Sequence, residues 1–175
     1  MDARVALLSF VALTGLSTPS SALQQRPIEP DLSQLASRGL QINANRTAAP
    51  LTDGNRKGLR LSEGAGEGPA YLEGMELGTG TIELDIRGKD VQGQSFVGVA
   101  FAGADGTTYE AIYFRPFNFR AADSTRHAHA VQYASQPANP WLKLRNDHPG
   151  GSDKSVDPPH AHNRWFHARV VVSAS

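Results

Sequence analysis

Tyr109-Glu-Ala-Ile-Tyr-Phe-Arg-Pro-Phe-Asn-Phe-Arg120 is the most informative stretch of the chain. Five of its twelve residues are Phe or Tyr, although aromatic residues make up only 7% of the 175-residue sequence. Side chains of a β-strand alternate between its two faces, so Ile112 and Phe114 are predicted to enter the core. Tyr113 and Arg115 then lie on the opposite face. The proline that follows Arg115 ends this predicted strand, because proline cannot donate to a strand ladder.

Further strands are predicted on both sides of this stretch. Thr81–Arg87 alternates apolar and charged residues, as a half-buried strand does, and Asp105-Gly106 is typical of a hairpin turn. The predicted strands are Gly58–Leu61, Ala70–Leu72, Thr81–Arg87, Ser95–Ala102, Tyr109–Arg115, His129–Ala134, Trp141–Leu144 and Trp165–Val172. Because nearly every element after residue 50 is a strand, we predict an all-β domain with sheet packed on sheet.

The composition excludes several classes of protein. Seventeen basic residues balance 17 acidic residues, so no basic surface supports nucleic-acid binding. The sequence has no cysteine, which excludes disulfides and thiolate metal sites. It also has no Gly-rich strand-to-helix turn, so we expect no nucleotide, haem or flavin cofactor.

The first 22 residues have the pattern of a secretory signal peptide. Arg4 precedes the apolar run Val5–Leu13, and small residues follow before a predicted cleavage near Ala22. The apolar run is too short to cross a bilayer, so no membrane span is predicted. The alternative is an apolar leading helix of the folded domain. From the signal-peptide pattern we predict a secreted or periplasmic protein of bacterial source. The predicted organisation is a signal peptide (1–22), a tether with a short helix (23–50) and a β domain (51–175).

The chain resembles the concanavalin A-like lectin/glucanase superfamily, which includes laminin G modules and many glycanases. More narrowly, it is similar to secreted bacterial laminin-G-like proteins near the 3-keto-disaccharide hydrolase-type domains. The segments that carry the resemblance are Gly80–Lys89, Gln94–Phe101, Tyr109–Arg120, Val131–Tyr133 and Trp165–Arg169. The resemblance implies an antiparallel two-sheet jelly-roll sandwich and contact with carbohydrate. Members commonly continue with further C-terminal strands, so we expect the last strands of the sandwich to be missing here.

Three carboxylates are candidates for catalysis. Glu83-Leu-Asp85 is similar to the Glu-x-Asp-x-Glu strand of laminarinase-type glucanases, but Arg87 stands where the third carboxylate would be. The alternative is a solvated, charged strand face in which these carboxylates pair with Arg87. Glu110 is predicted on the core-facing side of its strand. If it is buried there, it needs a partner such as an arginine and could act as a tuned acid.

Metal sites are a further hypothesis. His127 and His129 form a His-x-His pair, which on a strand would point both rings the same way and could hold Zn²⁺. His160 and His162 form a second such pair in a Pro-rich loop, and the alternative for both pairs is solvated loop histidines. Calcium is another candidate, through the oxygen ligands of Asp105, Asp147, Asp153 and Asp157.

The preferred site is a polar and aromatic surface around the central strand. Its predicted members are Tyr113, Arg115, Asn118, Arg120, Gln132 and Trp141. Flat aromatic faces beside planar hydrogen-bonding groups suit a polyhydroxylated ligand. The structural alternative places the rings in the core and uses the arginines to hold loops or to pair with Glu110 or Asp123. We predict a carbohydrate-binding module with a saccharide or glycan partner. The alternatives are a hydrolase of glycosidic bonds and a structural or adhesion protein without a small ligand.

Overall fold

The computed structural model describes residues 27–35, 39–42 and 45–174. The described residues from Asp31 onward form one compact unit. The predicted signal peptide of residues 1–22 lies outside the described residues. Within the described part of the chain, no helix is long and apolar enough to cross a membrane.

Most of the regular structure is β. The strands are β1 Leu40–Ile42, β2 Ala48–Asp53, β3 Arg56–Leu61, β4 Ala70–Leu72, β5 Gly80–Ile86, β6 Val97–Phe101, β7 Tyr109–Phe114, β8 Val131–Gln136, β9 Asp153–Lys154 and β10 Phe166–Val172. The helices are α1 Leu32–Leu35, α2 Ser124–Ala128 and α3 Trp141–Asp147, with a 3₁₀ turn at Pro116–Asn118. All strand pairs among the described residues are antiparallel, which confirms the prediction of a mostly β, antiparallel fold.

In the described part of the chain, the strands form one four-stranded sheet and three two-stranded ribbons. The sheet has the order β6-β7-β8-β9, and the ribbons are β1-β4, β2-β3 and β5-β10. The hairpin predicted before Tyr109 joins β6 to β7. Its loop is closed by Asp105, whose carboxylate accepts backbone hydrogen bonds from Thr107 and Thr108 at 2.7 Å.

The core forms where the β5-β10 ribbon packs on one face of the four-stranded sheet. Phe166 of β10 lies 5.0 Å from Phe114 of β7 and 5.1 Å from Phe119, measured between ring centroids. Ile86 of β5 and Ala168 of β10 are buried in the same cluster. The prediction that Phe114 enters the core is therefore correct. The opposite face of β7, which carries Tyr113, points away from the ribbon because neighbouring side chains of a strand alternate.

Two predicted strands differ from the structure. The predicted strand Trp141–Leu144 is wrong, because these residues begin helix α3. Leu, Lys and Arg are good helix formers, and Pro140 stands at the cap position where a missing N–H costs nothing. The predicted strand His129–Ala134 starts two residues too early. Asp123 caps helix α2 by accepting from the backbone N–H of Arg126 at 2.8 Å, and that helix occupies the chain before β8.

Candidate functional site

Arg115 is the centre of a polar cluster on the outer face of the sheet, the face that lies away from the β5-β10 ribbon. Arg115 directly follows β7 and is only 6% exposed. Its Nη1 donates to the backbone carbonyl of His129 at 2.9 Å, and its Nη2 donates to the hydroxyl of Tyr113 at 3.2 Å and to Gln132 Oε1 at 3.4 Å. Burial lowers the pKa of Arg115, because removal from water disfavours the charged guanidinium.

Three aromatic rings surround the Arg115 guanidinium. Its central carbon lies 5.1 Å from the ring centroid of Tyr113 and 5.8 Å from those of Phe96 and Trp141. A cation held within about 6 Å of a ring centroid is attracted by the negative face of the ring. Phe96 is 53% exposed and Trp141 is 37% exposed, so two of the three rings are accessible from solvent. A buried cation is thus bordered by exposed aromatic surface.

Helix α3 supplies a second arginine to the same place. Arg145 lies one turn after Trp141 on α3, and its guanidinium carbon is 4.9 Å from the Trp141 ring centroid. Arg145 donates to Asp153 Oδ2 at 3.0 Å and to Gln132 Oε1 at 3.2 Å. Gln132 is fully buried, and its amide nitrogen donates to the carbonyl of Ser152 at 3.1 Å. The amide of Gln132 therefore links β8 to both arginines.

Asp153 is the buried carboxylate of this group. It lies on β9 and is 4% exposed. Asp153 Oδ2 contacts Arg145 and also lies 2.5 Å from His129 Nδ1. The contact with His129 is within ion-pair distance but does not have the geometry of a hydrogen bond. We refer to these residues as the Arg115 cluster; its members are Phe96, Tyr113, Arg115, His129, Gln132, Trp141, Arg145 and Asp153.

The hydroxyl of Tyr113 stays protonated over the physiological pH range. Burial raises the pKa of Tyr113 to about 12, the positive charge of Arg115 opposes this rise, and the negative charge of Glu67 adds to it. A neutral phenol can both accept a hydrogen bond and donate one. Because Tyr113 already accepts from Arg115, its own O–H is oriented away from the guanidinium.

A second polar group lies at the other end of the same face. Tyr109 and Gln136 are partners across β7 and β8, and both donate to the carboxylate of Glu67, with Gln136 Nε2 at 2.6 Å. Tyr109 and Tyr113 are four residues apart, which is about 13 Å along a strand. Between Tyr109 and Tyr113, the side chains on this face are small. Ala111 of β7 lies opposite Ala134 of β8 and Ala100 of β6.

The predicted platform is only partly assembled. Of its predicted members, Tyr113, Arg115 and Trp141 lie together, with the Arg115 guanidinium beside both rings. Asn118 is buried, and both ends of its amide are engaged, since it donates to the His129 carbonyl and accepts from Arg126. Gln132 likewise lies beneath the surface. These two amides hold the site together instead of facing a ligand.

Arg120 lies apart from the cluster. It is exposed and lines a depression of about 570 Å³ together with Phe119, Ala121, His127 and Pro159. A second depression, of about 340 Å³, lies beside Thr47 and Arg60. Neither of these two depressions is lined by a member of the Arg115 cluster.

The three candidate catalytic carboxylates have separate partners. Glu83 pairs with Arg169 of β10 at 2.9 Å, and Asp85 pairs with Arg56 at 3.4 Å and with His167 at 3.2 Å. These contacts form the exposed, charged face of the β5-β10 ribbon, although Arg87 pairs with Asp53 instead of with Glu83 or Asp85.

Glu110 is half-buried and accepts from the hydroxyl of Tyr133 at 3.0 Å. Its partner is thus a phenol and not the arginine expected from the sequence. Glu110 also faces the opposite side of β7 from Tyr113, so it does not belong to the Arg115 cluster.

The predicted metal ligands are dispersed among other contacts. His127 lies in helix α2 and His129 at its C-terminal cap, so the strand geometry assumed for this pair is wrong. His160 stacks on Phe166 with 5.8 Å between ring centroids, and His162 lies 3.1 Å from Asp90. Among the described residues, no group of three or more His, Cys, Asp or Glu side chains could hold a metal ion. Of the four aspartates considered for calcium, Asp105 closes a turn, Asp147 pairs with Lys143, Asp153 belongs to the Arg115 cluster and Asp157 precedes the cis proline Pro158.

Five residues of this face were not predicted to belong to it: Glu67, Phe96, His129, Arg145 and Asp153. Of these, His129 and Asp153 were predicted only as metal ligands. Arg145 could have been found from the sequence, because a helix places residues four apart on one side and Trp141 is already a candidate. Phe96 directly precedes β6. Because side chains alternate along a strand, its position on the outer face could also have been inferred from the sequence. Nothing in the neighbouring sequence distinguishes Glu67 or Asp153 from the other acidic residues of the chain.

Comparison with known proteins identifies no relative. No protein-family model matches the chain. No curated protein and no solved structure matches it either.

Proposed function

We propose that this chain is an exported, lectin-like module that binds a saccharide on the outer face of β7, within a jelly-roll arrangement of its strands. The observation that supports this most directly is the enclosure of Arg115 by the rings of Phe96, Tyr113 and Trp141, two of which are exposed. A sugar offers hydroxyl oxygens to guanidinium donors and an apolar C–H face to an aromatic ring. The cluster supplies both surfaces together.

The cluster is also held in place before any ligand arrives. Arg115 and Arg145 share the Oε1 of Gln132, and the amide nitrogen of Gln132 is fixed by hydrogen bonds to Ser152, the residue before β9. Groups already ordered in the free protein lose little conformational entropy on binding. This favours recognition of a ligand through a rigid surface.

Binding is favoured over glycoside hydrolysis by the placement of the carboxylates. Hydrolysis of a glycosidic bond uses two carboxyl groups that flank the same bond. Glu83 and Asp85 are engaged on the ribbon, and Glu110 faces the other side of β7. Asp153, the buried carboxylate of the cluster, is already shared by Arg145 and His129.

Tryptophan fluorescence tests the proposal, because the sequence has only two tryptophans. Trp141 belongs to the cluster, whereas Trp165 donates to Asp53 at 2.6 Å in a different part of the molecule. In a Trp165→Phe background, all tryptophan emission comes from Trp141. We expect a saturable change in this emission when the protein is titrated with a panel of neutral and acidic oligosaccharides.

The matched variants are Trp141→Ala and Tyr133→Phe, with binding measured by calorimetry. Trp141→Ala removes an exposed ring and should weaken binding by about tenfold or more, with the circular dichroism spectrum unchanged. Tyr133→Phe removes a hydroxyl from the other face of the sheet and should leave binding intact. Unchanged emission throughout the panel, or equal losses in both variants, would favour the structural role for the cluster.

A further inference from the structure

The Arg115 cluster carries more positive charge than its own carboxylates balance. Among the described residues, no carboxylate lies within ion-pair distance of Arg115. Asp153 is the carboxylate of the cluster, and it is taken by Arg145 and His129. Arg145 thus has an acidic partner, whereas Arg115, the more buried of the two arginines, is left without an ion pair.

Glu67 is the other acidic group close enough to act on this site, since its charge raises the pKa of Tyr113. Its two oxygens are engaged, one by the hydroxyl of Tyr109 and the other by Gln136. Glu67 therefore belongs to the far end of the face and is not an ion-pair partner of Arg115.

The donors of Arg115 are also incompletely used. A guanidinium has five N–H donors. In the described chain, Arg115 makes three hydrogen bonds, all from Nη1 and Nη2 and all to neutral oxygens. The oxygen of Gln132 is shared with Arg145, which approaches it more closely, at 3.2 Å against 3.4 Å for Arg115. The Nε–H and one Nη1–H remain for a partner from outside.

An unpaired buried charge is unfavourable unless something compensates it. Arginine keeps its proton at all physiological pH values, so the charge is not removed by deprotonation. Apolar walls lower the local dielectric constant and strengthen the attraction for an opposite charge. Phe96 and Trp141 form such walls and are open to solvent, which makes them the side of approach for an anion.

Resting on the saccharide-binding function proposed above, we propose that the ligand is an acidic saccharide whose carboxylate, as in a uronic acid, pairs with Arg115. The carboxylate accepts a charge-assisted hydrogen bond from one of the two unused donors, because Nε–H and the free Nη1–H point in different directions and cannot both reach one carboxylate. The sugar ring packs against Trp141 or Phe96, and its hydroxyls reach the O–H of Tyr113. A sulfated saccharide also carries negative charge, but its oxygens are arranged tetrahedrally. Its binding is therefore measured separately from that of the carboxylate ligand.

The decisive comparison uses the unmodified protein. An oligogalacturonate and its fully methyl-esterified form have the same sugars and linkages, but only the first carries carboxylates. We expect calorimetry to show binding of the acid at least about tenfold tighter than that of the ester, because charge-assisted hydrogen bonds are about twice as strong as neutral ones. Affinity for the acid should fall as sodium chloride is raised, while affinity for the ester should not.

Two charge variants locate the effect. Arg115→Gln should bring the affinity for the acid down to that for the ester, whereas Arg169→Gln removes a positive charge on the β5-β10 ribbon and should change neither. If Arg115→Gln fails to fold, the acid and ester comparison on the unmodified protein still decides.

The outcomes separate the two proposals. Equal affinity for acid and ester would overturn the inference of an acidic ligand and leave saccharide binding standing. Tighter binding of a sulfated oligosaccharide of matched length than of the uronate would overturn the choice of a carboxylate. No binding of any oligosaccharide, acidic or neutral, would overturn both proposals.

Discussion

Asp153 Oδ2 accepts a hydrogen bond from Arg145 Nε at 3.0 Å, in an ion pair whose carboxylate side chain is only 2% exposed. The pair joins the last strand of the four-stranded sheet to helix α3, the helix that also carries Trp141. The geometry of the proposed binding surface therefore depends on a buried charge as well as on its rings.

Replacing Asp153 with Asn should destabilise the fold strongly. The substitution keeps the shape of the side chain but leaves Arg145 without its anion. Breaking a buried ion pair costs about 3–5 kcal/mol. The free energy of unfolding, measured by urea denaturation, should fall by about 3 kcal/mol. The control is Asp147→Asn, which breaks an exposed pair with Lys143 on the same helix and should cost less than about 0.5 kcal/mol. Equal small losses in both variants would mean that Asp153 does not neutralise the cluster.

Phe166→Ala should have the largest effect in the core. The Phe166 ring is 5% exposed and contacts both Phe114 and Phe119 where the ribbon meets the sheet. Truncation of a buried phenylalanine removes apolar contacts and leaves a cavity, at about 3–5 kcal/mol. On the same strand, Val171 is 60% exposed, so Val171→Ala should change the free energy of unfolding by less than about 0.5 kcal/mol. A similar midpoint of thermal unfolding for the two variants would show that the ribbon does not depend on this contact.

The alternation of apolar and polar residues is sufficient to predict strands that have one face in the core and the other in solvent. The alternation of Thr81–Arg87 identified β5, and the alternation of Tyr109–Arg115 correctly separated the core ring of Phe114 from Tyr113. It failed at Trp141–Leu144, because a short segment with apolar residues at Leu142 and Leu144 fits a strand and a helix equally well. In the fold this segment is a helix that contacts β8, and the segment itself does not encode that contact.

The site could be predicted only where its residues are neighbours along one element. Tyr113 and Arg115 share one face of β7, so their association follows from spacing. The burial of Asn118 and Gln132 depends on partners 11 and 20 residues away, namely the His129 carbonyl and Ser152. Side chains that look available in the sequence are therefore already satisfied in the fold.

Gly98→Ala should be poorly tolerated, because β7 passes directly over this position. A Cβ atom at Gly98 would stand 2.6 Å from the Cα of Tyr113 and closer still to the carbonyl oxygen of Ile112. Backbone atoms cannot give way as a flexible side chain can, so we expect a loss of about 1–3 kcal/mol in urea denaturation.

Gly58→Ala is the matched control for this substitution. Gly58 also lies in a strand, β3, but a Cβ there would meet nothing within 4 Å. Its effect should stay within about 0.5 kcal/mol, and the sign could favour stability because alanine restricts the unfolded chain. Comparable effects at the two glycines would contradict the close approach of β6 and β7.

Stability should fall at alkaline pH, in part through Tyr113. Burial raises the pKa of its hydroxyl from 10.0 to about 12. As pH rises from 10 towards 12, this tyrosine loses its proton in the unfolded chain first, while the folded chain still holds it. The unfolded state then binds fewer protons than the native state, so the stabilisation that is fully present below pH 10 decreases through this window.

The test compares the unmodified protein with Tyr113→Phe, since phenylalanine has no proton to lose. Burial also raises the pKa of Tyr71, Tyr109 and Tyr133, so both proteins should lose stability at high pH. The difference in free energy of unfolding between them should be constant at neutral pH and should shrink as the pH rises above 10. Parallel curves over the whole range would mean that the Tyr113 hydroxyl ionises as readily in the fold as in the unfolded chain. In that case the hydroxyl would be exposed to water and would not be buried beside Arg115.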